Sequence, residues 1–244
     1  MLTSPLGAQV RQYTPPGGAA DEAAGHKEAL AKAVEDARWH AGPVRLDPAF
    51  WISDLAWVDR PADDVTGSGS DLTARAGAGL RAYLPVGPKT TFAAYALPEY
   101  IWWQEREEER RVNQRFGLGS FTFFNRLAIG VTAERNEDFD YATGEVLQRY
   151  TSRHDRLAVE LEVPILRRLT VFARGEDSSV ESLLDESDPL LADFFAGLDR
   201  DDLNYRGGVR YYPRENLRIG AGVGHSESDF AADSLDRSNA GDFW

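Results

Sequence analysis

The run from Leu72 to Leu84 (LTARAGAGLRAYL) limits what this chain can become more than any other stretch. Leu72, Ala74, Ala76, Ala78, Leu80, Ala82 and Leu84 fall on one side of an extended backbone. Thr73, Arg75, Gly77, Gly79, Arg81 and Tyr83 fall on the other. A period of two belongs to a β-strand, because successive side chains point to opposite faces. The same alternation returns at 126–134, 154–163 and 217–226, so the element repeats along the chain.

Followed from end to end, the rhythm predicts strands at about 44–58, 72–84, 90–103, 112–124, 126–134, 154–163, 168–175, 202–212 and 217–226, with a tenth opening near 237–244. Residues 1–20 read as a disordered N-terminus. Residues 21–42 read as a periplasmic helix and linker, with Leu30, Val34 and Ala37 spaced i, i+4, i+7. Short connections near 85–89, 125, 164–168 and 213–216 alternate with long ones near 59–70, 104–111, 135–153, 176–201 and 227–237. Short turns at one end and long loops at the other are the habit of outer-membrane barrels. The expected fold is therefore all-β: an antiparallel up-and-down transmembrane β-barrel over 43–244, with nine strands and the start of a tenth, truncated at the C-terminus, preceded by the short helix.

Composition permits this. Mean hydropathy is -0.44, and no stretch approaches the roughly 18 apolar residues of a membrane helix. A barrel strand needs an apolar residue only at every second position. The formal charge of -13 argues against a nucleic-acid partner, which wants a basic face.

The absence of cysteine removes disulfides, thiolate metal sites and thiol nucleophiles. There is no G-x-S-x-G, H-E-x-x-H or glycine-rich phosphate loop, so no enzyme, cofactor or metal centre is expected. The acidic run 176–202 contains Asp199-Arg200-Asp201-Asp202, which lacks the spacing and terminal Glu of an EF-hand loop. Leu190 to Phe195 within it suggest a short helical turn. His154 with Asp155, and His225 with Asp229, are conceivable pairs and are read as polar surface.

The polar faces carry the candidate functional residues. Arg75, Arg81, Arg115, Arg126, Glu134, Arg156, Glu160, Arg206, Arg210 and Arg218 are expected to line a lumen, because an arginine facing lipid costs about 2–4 kcal/mol at mid-bilayer. Cross-strand ion pairs, for example Glu134 with Arg156, would neutralise part of that charge, and any surplus would bias the lumen toward anions.

Several stretches add a resemblance: Val44 to Trp51 (VRLDPAFW), Gly79 to Tyr83 (GLRAY), Phe123 to Leu127 (FFNRL), Arg206 to Arg214 (RGGVRYYPR) and Asp236 to Asn239 (DRSN). In these the region from about Trp39 to Trp244 resembles bacterial outer-membrane β-barrel proteins of the porin type associated with exopolysaccharide export. The resemblance implies a fragment of such a barrel in the cell outer membrane, acting as a passive channel or as an accessory in polysaccharide export. The partners it implies are outer-membrane lipid, lipopolysaccharide, the barrel assembly machinery, and polysaccharide or small solutes. A non-conducting structural or surface-binding barrel, and a soluble periplasmic all-β binding domain, are the alternatives.

Overall fold

The computed structural model describes residues 23–59, 70–141, 149–183, 197, 199–214, 217–231 and 239–243. After α1 (Ala23–Glu35) come β1 (Trp39–Ala41), β2 (Val44–Asp59), β3 (Ser70–Val86), β4 (Thr90–Ala96), β5 (Glu99–Trp103) and β6 (Arg111–Phe123). They are followed by β7 (Ala128–Tyr141), β8 (Arg149–Leu166), β9 (Leu169–Leu183), β10 (Arg200–Arg214), β11 (Leu217–Phe230) and β12 (Asn239–Phe243). Every pairing is antiparallel, and neighbours in sequence are neighbours in the sheet. The exception is β4 and β5, which lie end to end between β3 and β6. The break falls at Leu97 and Pro98; proline has no N–H to give to the ladder.

The strands outrun the alternation that announced them. β7 continues to Tyr141 and β9 to Leu183, into segments whose polarity reads as loop. Charged residues there pair across the strands instead, as in Arg153 with Glu137 at 2.9 Å and with Glu181 at 3.3 Å. The helical turn expected at Leu190 to Phe195 and the disordered N-terminus expected over 1–20 lie outside the described residues.

One face of the sheet is covered and the other is open. On β3, Asp71, Thr73 and Tyr83 are buried, while Leu80 and Val86 on the opposite face are exposed. Burial of a single face far from any second layer means that the sheet curls toward that face, here called inner. The inner face carries the polar, glycine and aromatic residues. The outer face carries the aliphatic set, with Leu118 64% and Val223 70% exposed. At the short-turn end α1 seats Leu30, Ala33 and Val34, together with Ala37 just beyond it, against Tyr83, Ala93, Phe121 and Phe123. Leu30 is only 2% exposed.

The inner face is tightly filled along β2 to β6. The rings of Trp51, Tyr95 and Phe121 lie across Gly77, Gly117 and Gly119, where a Cβ would overlap them. Between β10 and β11 the reason is different: a Cβ on Gly208 would overlap the Ala221 carbonyl, and one on Gly222 would sit 2.8 Å from the Gly207 oxygen. Here the two backbones approach too closely for any side chain.

The expectation of a transmembrane β-barrel is corrected by the strand order. The sheet runs from β1 to β12 without pairing its ends, so among the described residues it is open. β1 covers only Val44 to Leu46 of β2, and β12 covers only Gly224 to Ser228 of β11. Along the rest of both edges no strand partner is found among the described residues, and an open edge in hydrocarbon costs several kcal/mol per group. The β2 edge also bears the marks of one that stays open. Counting the ladder from the Ala41–Val44 turn places Pro48 where an N–H would face outward. A bulge follows between Ser53 and Ala56, with Asp54 at φ 53°. Bulges and edge prolines are ways of discouraging further pairing.

The outer-membrane location, the lipid, lipopolysaccharide, assembly-machinery and polysaccharide partners, and the channel and export roles all presuppose a closed wall, and they fall with it. No described helix is long and apolar enough to cross a membrane.

Candidate functional site

The inner face from β7 to β10 is charged where the neighbouring strands are aromatic. The reason lies in the sequence: Glu134, Arg156, Glu160, Glu162, Arg174, Glu176, Arg206 and Arg210 all occupy even positions on strands whose even positions point inward. Alternation therefore places their charges on one surface.

They form a ladder running across the strands. Arg156 lies 3.9 Å from Glu134 on β7 and 2.8 Å from Glu176 on β9. Arg174 reaches Glu176 at 2.7 Å and Glu160 at 4.0 Å. Arg210 crosses the whole of β9 to meet Glu162 on β8 at 2.5 Å, with its guanidinium 3.9 Å from the centre of the intervening Phe172 ring. It also lies 3.8 Å from Glu160. The pair foreseen between Glu134 and Arg156 is thus present and belongs to a larger set.

Burial and partners pull the carboxylates apart in acidity. Burial pushes Glu134 and Glu160 above the usual carboxylate range, and the nearby arginines only partly offset it. Glu176 also feels burial, but hydrogen bonds and charge from Arg156 and Arg174 hold it below that range. A cavity of about 30 Å³ lies beside the ladder, between Phe121 and Phe123 on one wall and Glu160, Glu162 and Arg174 on the other. That is room for about one water.

The remaining lumen candidates scatter. Arg75 sits 3.6 Å from Asp54 at the β2 bulge, Arg81 3.2 Å from Asp47, and Arg115 3.2 Å from Asp138. Arg126 is exposed in the connection between β6 and β7 and joins no strand. Arg218 lies on β11 with its side chain outside the described residues. Arg206 is the inner-face neighbour of Arg174.

Of the residues absent from the candidate set, Arg174 and Glu162 follow the same alternation. Glu176 sits one step past where the pattern suggested that strand ended. Phe172 carries no signal of its own, because only the register brings it beneath Arg210.

The histidine pairs are also redrawn. Asp155 is adjacent in sequence to His154 and so points outward, where it binds Arg135 through two 2.6 Å hydrogen bonds. His154 lies 3.2 Å from the Ser152 hydroxyl, and burial lowers its pKa. His225 pairs with Asp242 of β12 at 2.7 Å instead of Asp229. In the acidic run, Asp199 accepts the Ser182 N–H at 2.6 Å and Asp202 pairs with Arg200 at 2.9 Å. Among the described residues no group of three or more His, Asp or Glu side chains is arranged to hold a metal ion.

At its β10–β11 end the ladder meets bare backbone. Gly208, Gly220 and Gly222 face inward there, with Gly220 and Gly222 exposed. The arrangement is a row of charges held in fixed geometry along an accessible, side-chain-free strip. No family model, curated protein or solved structure matches the chain, so the porin resemblance finds no support and the site is read from its own geometry.

Proposed function

We propose that this chain is an all-β binding domain whose ligand lies against the inner face, beside β9, β10 and β11. One observation carries the reading: the inner face is packed with rings and helix over β2 to β6, yet over β10 and β11 glycines leave it open beside a preorganised ladder of charges. Binding sites of this kind combine an accessible floor with a few polar groups fixed by their neighbours. Arg174 and Arg210 are fixed in this sense, each held by carboxylates on β8 or β9.

The test is to titrate isotopically labelled protein with a panel of small charged and neutral solutes and follow backbone amide shifts. Saturable shifts concentrated at Gly208, Gly220 and Gly222 are expected for at least one solute. Shifts confined to outer-face residues, or none across the panel, would refute the reading.

A further inference from the structure

We propose that Arg206 anchors an anion site on the inner face, taking a small oxyanion, carboxylate or phosphate, over the glycine strip of β10 and β11. The proposal rests on the binding-domain reading and adds the chemistry of the ligand.

Folding alone does not favour the arrangement around Arg206. Arg206 and Arg174 are direct cross-strand partners on the same face. Like charges placed directly opposite each other destabilise a sheet. Arg174 is answered by Glu176 at 2.7 Å and Glu160 at 4.0 Å. Arg206 makes no ion pair within 4.0 Å among the described residues, and it acts on Glu160 only at longer range. Its partner on the other side is Gly224, which offers no side chain at all. A glutamine would fill the same place without repulsion.

What the arginine adds is a planar fork of donors that matches the oxygens of a carboxylate or phosphate. The floor suits such a ligand. Gly208 and Gly222 must stay bare because their backbones touch, and Gly220 has only the Val209 carbonyl at 3.5 Å from its Cβ position. An anion can therefore approach the backbone beside Arg206 without displacing a side chain. Arg210, one inward position beyond Gly208, is buried and answered by Glu162 and Glu160, so the positive charge beside the strip is that of Arg206. The formal charge of -13 does not forbid this. Charges beyond about 10 Å are largely screened at 0.1 M salt, so the bound ion responds to its immediate neighbours.

The experiment is a titration of the labelled protein with inorganic phosphate and, separately, acetate, beside the variants R206Q, R206K and R135Q. Saturable shifts are expected at Arg206, Gly208 and Gly222. R206Q should weaken phosphate binding about tenfold or more, and R206K, which keeps the charge but loses the fork, should fall between. R135Q removes an outer-face arginine and should leave the affinity unchanged. Without phosphate, R206Q should melt no lower than the parent protein, since it relieves the repulsion with Arg174.

Phosphate shifts spread evenly over the protein, unchanged affinity in R206Q, or a clear drop in the melting temperature of phosphate-free R206Q would overturn the proposal. If neutral solutes shift the strip and phosphate and acetate do not, the anion assignment falls while the binding reading stands. If nothing shifts it, both fall.

Discussion

Replacing Leu30 by alanine should release α1 from the sheet without unfolding the sheet. Leu30 is 2% exposed and anchors the helix among Tyr83, Ala93 and Phe121. Among the described residues, the other contacts from this segment are two alanines, Ala33 and Ala37, and a partly buried Val34. Burying a leucine contributes about 1.5–3 kcal/mol, and truncating one inside a rigid core costs about 2–5 kcal/mol once the cavity is included.

That loss matches or exceeds what the three smaller side chains can supply. α1 has 13 residues, too few for a stable helix in isolation. The lower-energy response to the truncation is therefore undocking, which limits the cost to the docking free energy. Hydrogen exchange reads this directly. Amides from Leu30 to Asp36, whose N–H closes the last turn on the Lys32 carbonyl at 2.8 Å, should lose nearly all protection. Amides in β3, β6 and β8 should keep theirs. Retained α1 protection together with a global loss of about 2–5 kcal/mol would refute the reasoning, because the helix would then be an integral part of the core.

Three further outcomes follow from the inner face. Gly117→Val should destabilise the protein by about 1–3 kcal/mol in thermal or denaturant unfolding, because its side chain must displace the Tyr95 ring. Measured in a Tyr95→Ala background the same substitution should cost less, and an equal or larger cost there would contradict the contact. Burial lowers the pKa of His154 from its ordinary value of 6.5, so the unfolded chain binds the proton more readily. Stability should fall as pH drops below 6.5, and His154→Gln should flatten that part of the profile. Glu160 is shifted upward, so the folded state holds its proton to higher pH than the unfolded chain. Its contribution is most favourable below 4.5 and declines as pH rises through the raised folded value; Glu160→Gln should remove that decline in pH-dependent melting.

The parts of this molecule that were legible are those that local chemistry decides. Alternation at Leu72 to Leu84 is a property of one strand, and it placed Arg75, Arg81 and Tyr83 on the face opposite the leucines. The same alternation put Glu134 and Arg156 on the inward faces of neighbouring strands, but a long connection joins β7 to β8, and only the register shows them directly opposite each other. Closure is different. Whether the two ends of a sheet meet depends on curl summed over all the strands, and neither the β2 nor the β11 sequence records it. The edge signals that do exist, Pro48 and the bulge at Asp54, are weak until the register shows which way their backbone groups point. Glu176 was missed for a related reason, because polarity alone does not end a strand whose charges are paired across it. The glycine strip was visible in the sequence as Gly220, Gly222 and Gly224. Its meaning required the closeness of β10 and β11.

The most direct test of the account concerns the open edge, because closure of that edge would restore the wall on which a channel depends. Ladder alternation points the amides of Phe50 and Ile52 away from β3, toward the side of β2 that has no strand partner among the described residues, while Ala49 and Trp51 bond to β3. Residue-resolved hydrogen exchange on the folded protein should find Ala49 and Trp51 protected and Phe50 and Ile52 exchanging at nearly the rate of an unstructured peptide. Equal protection at all four positions, together with cross-strand contacts from β2 to β12, would show a closed barrel and contradict the account.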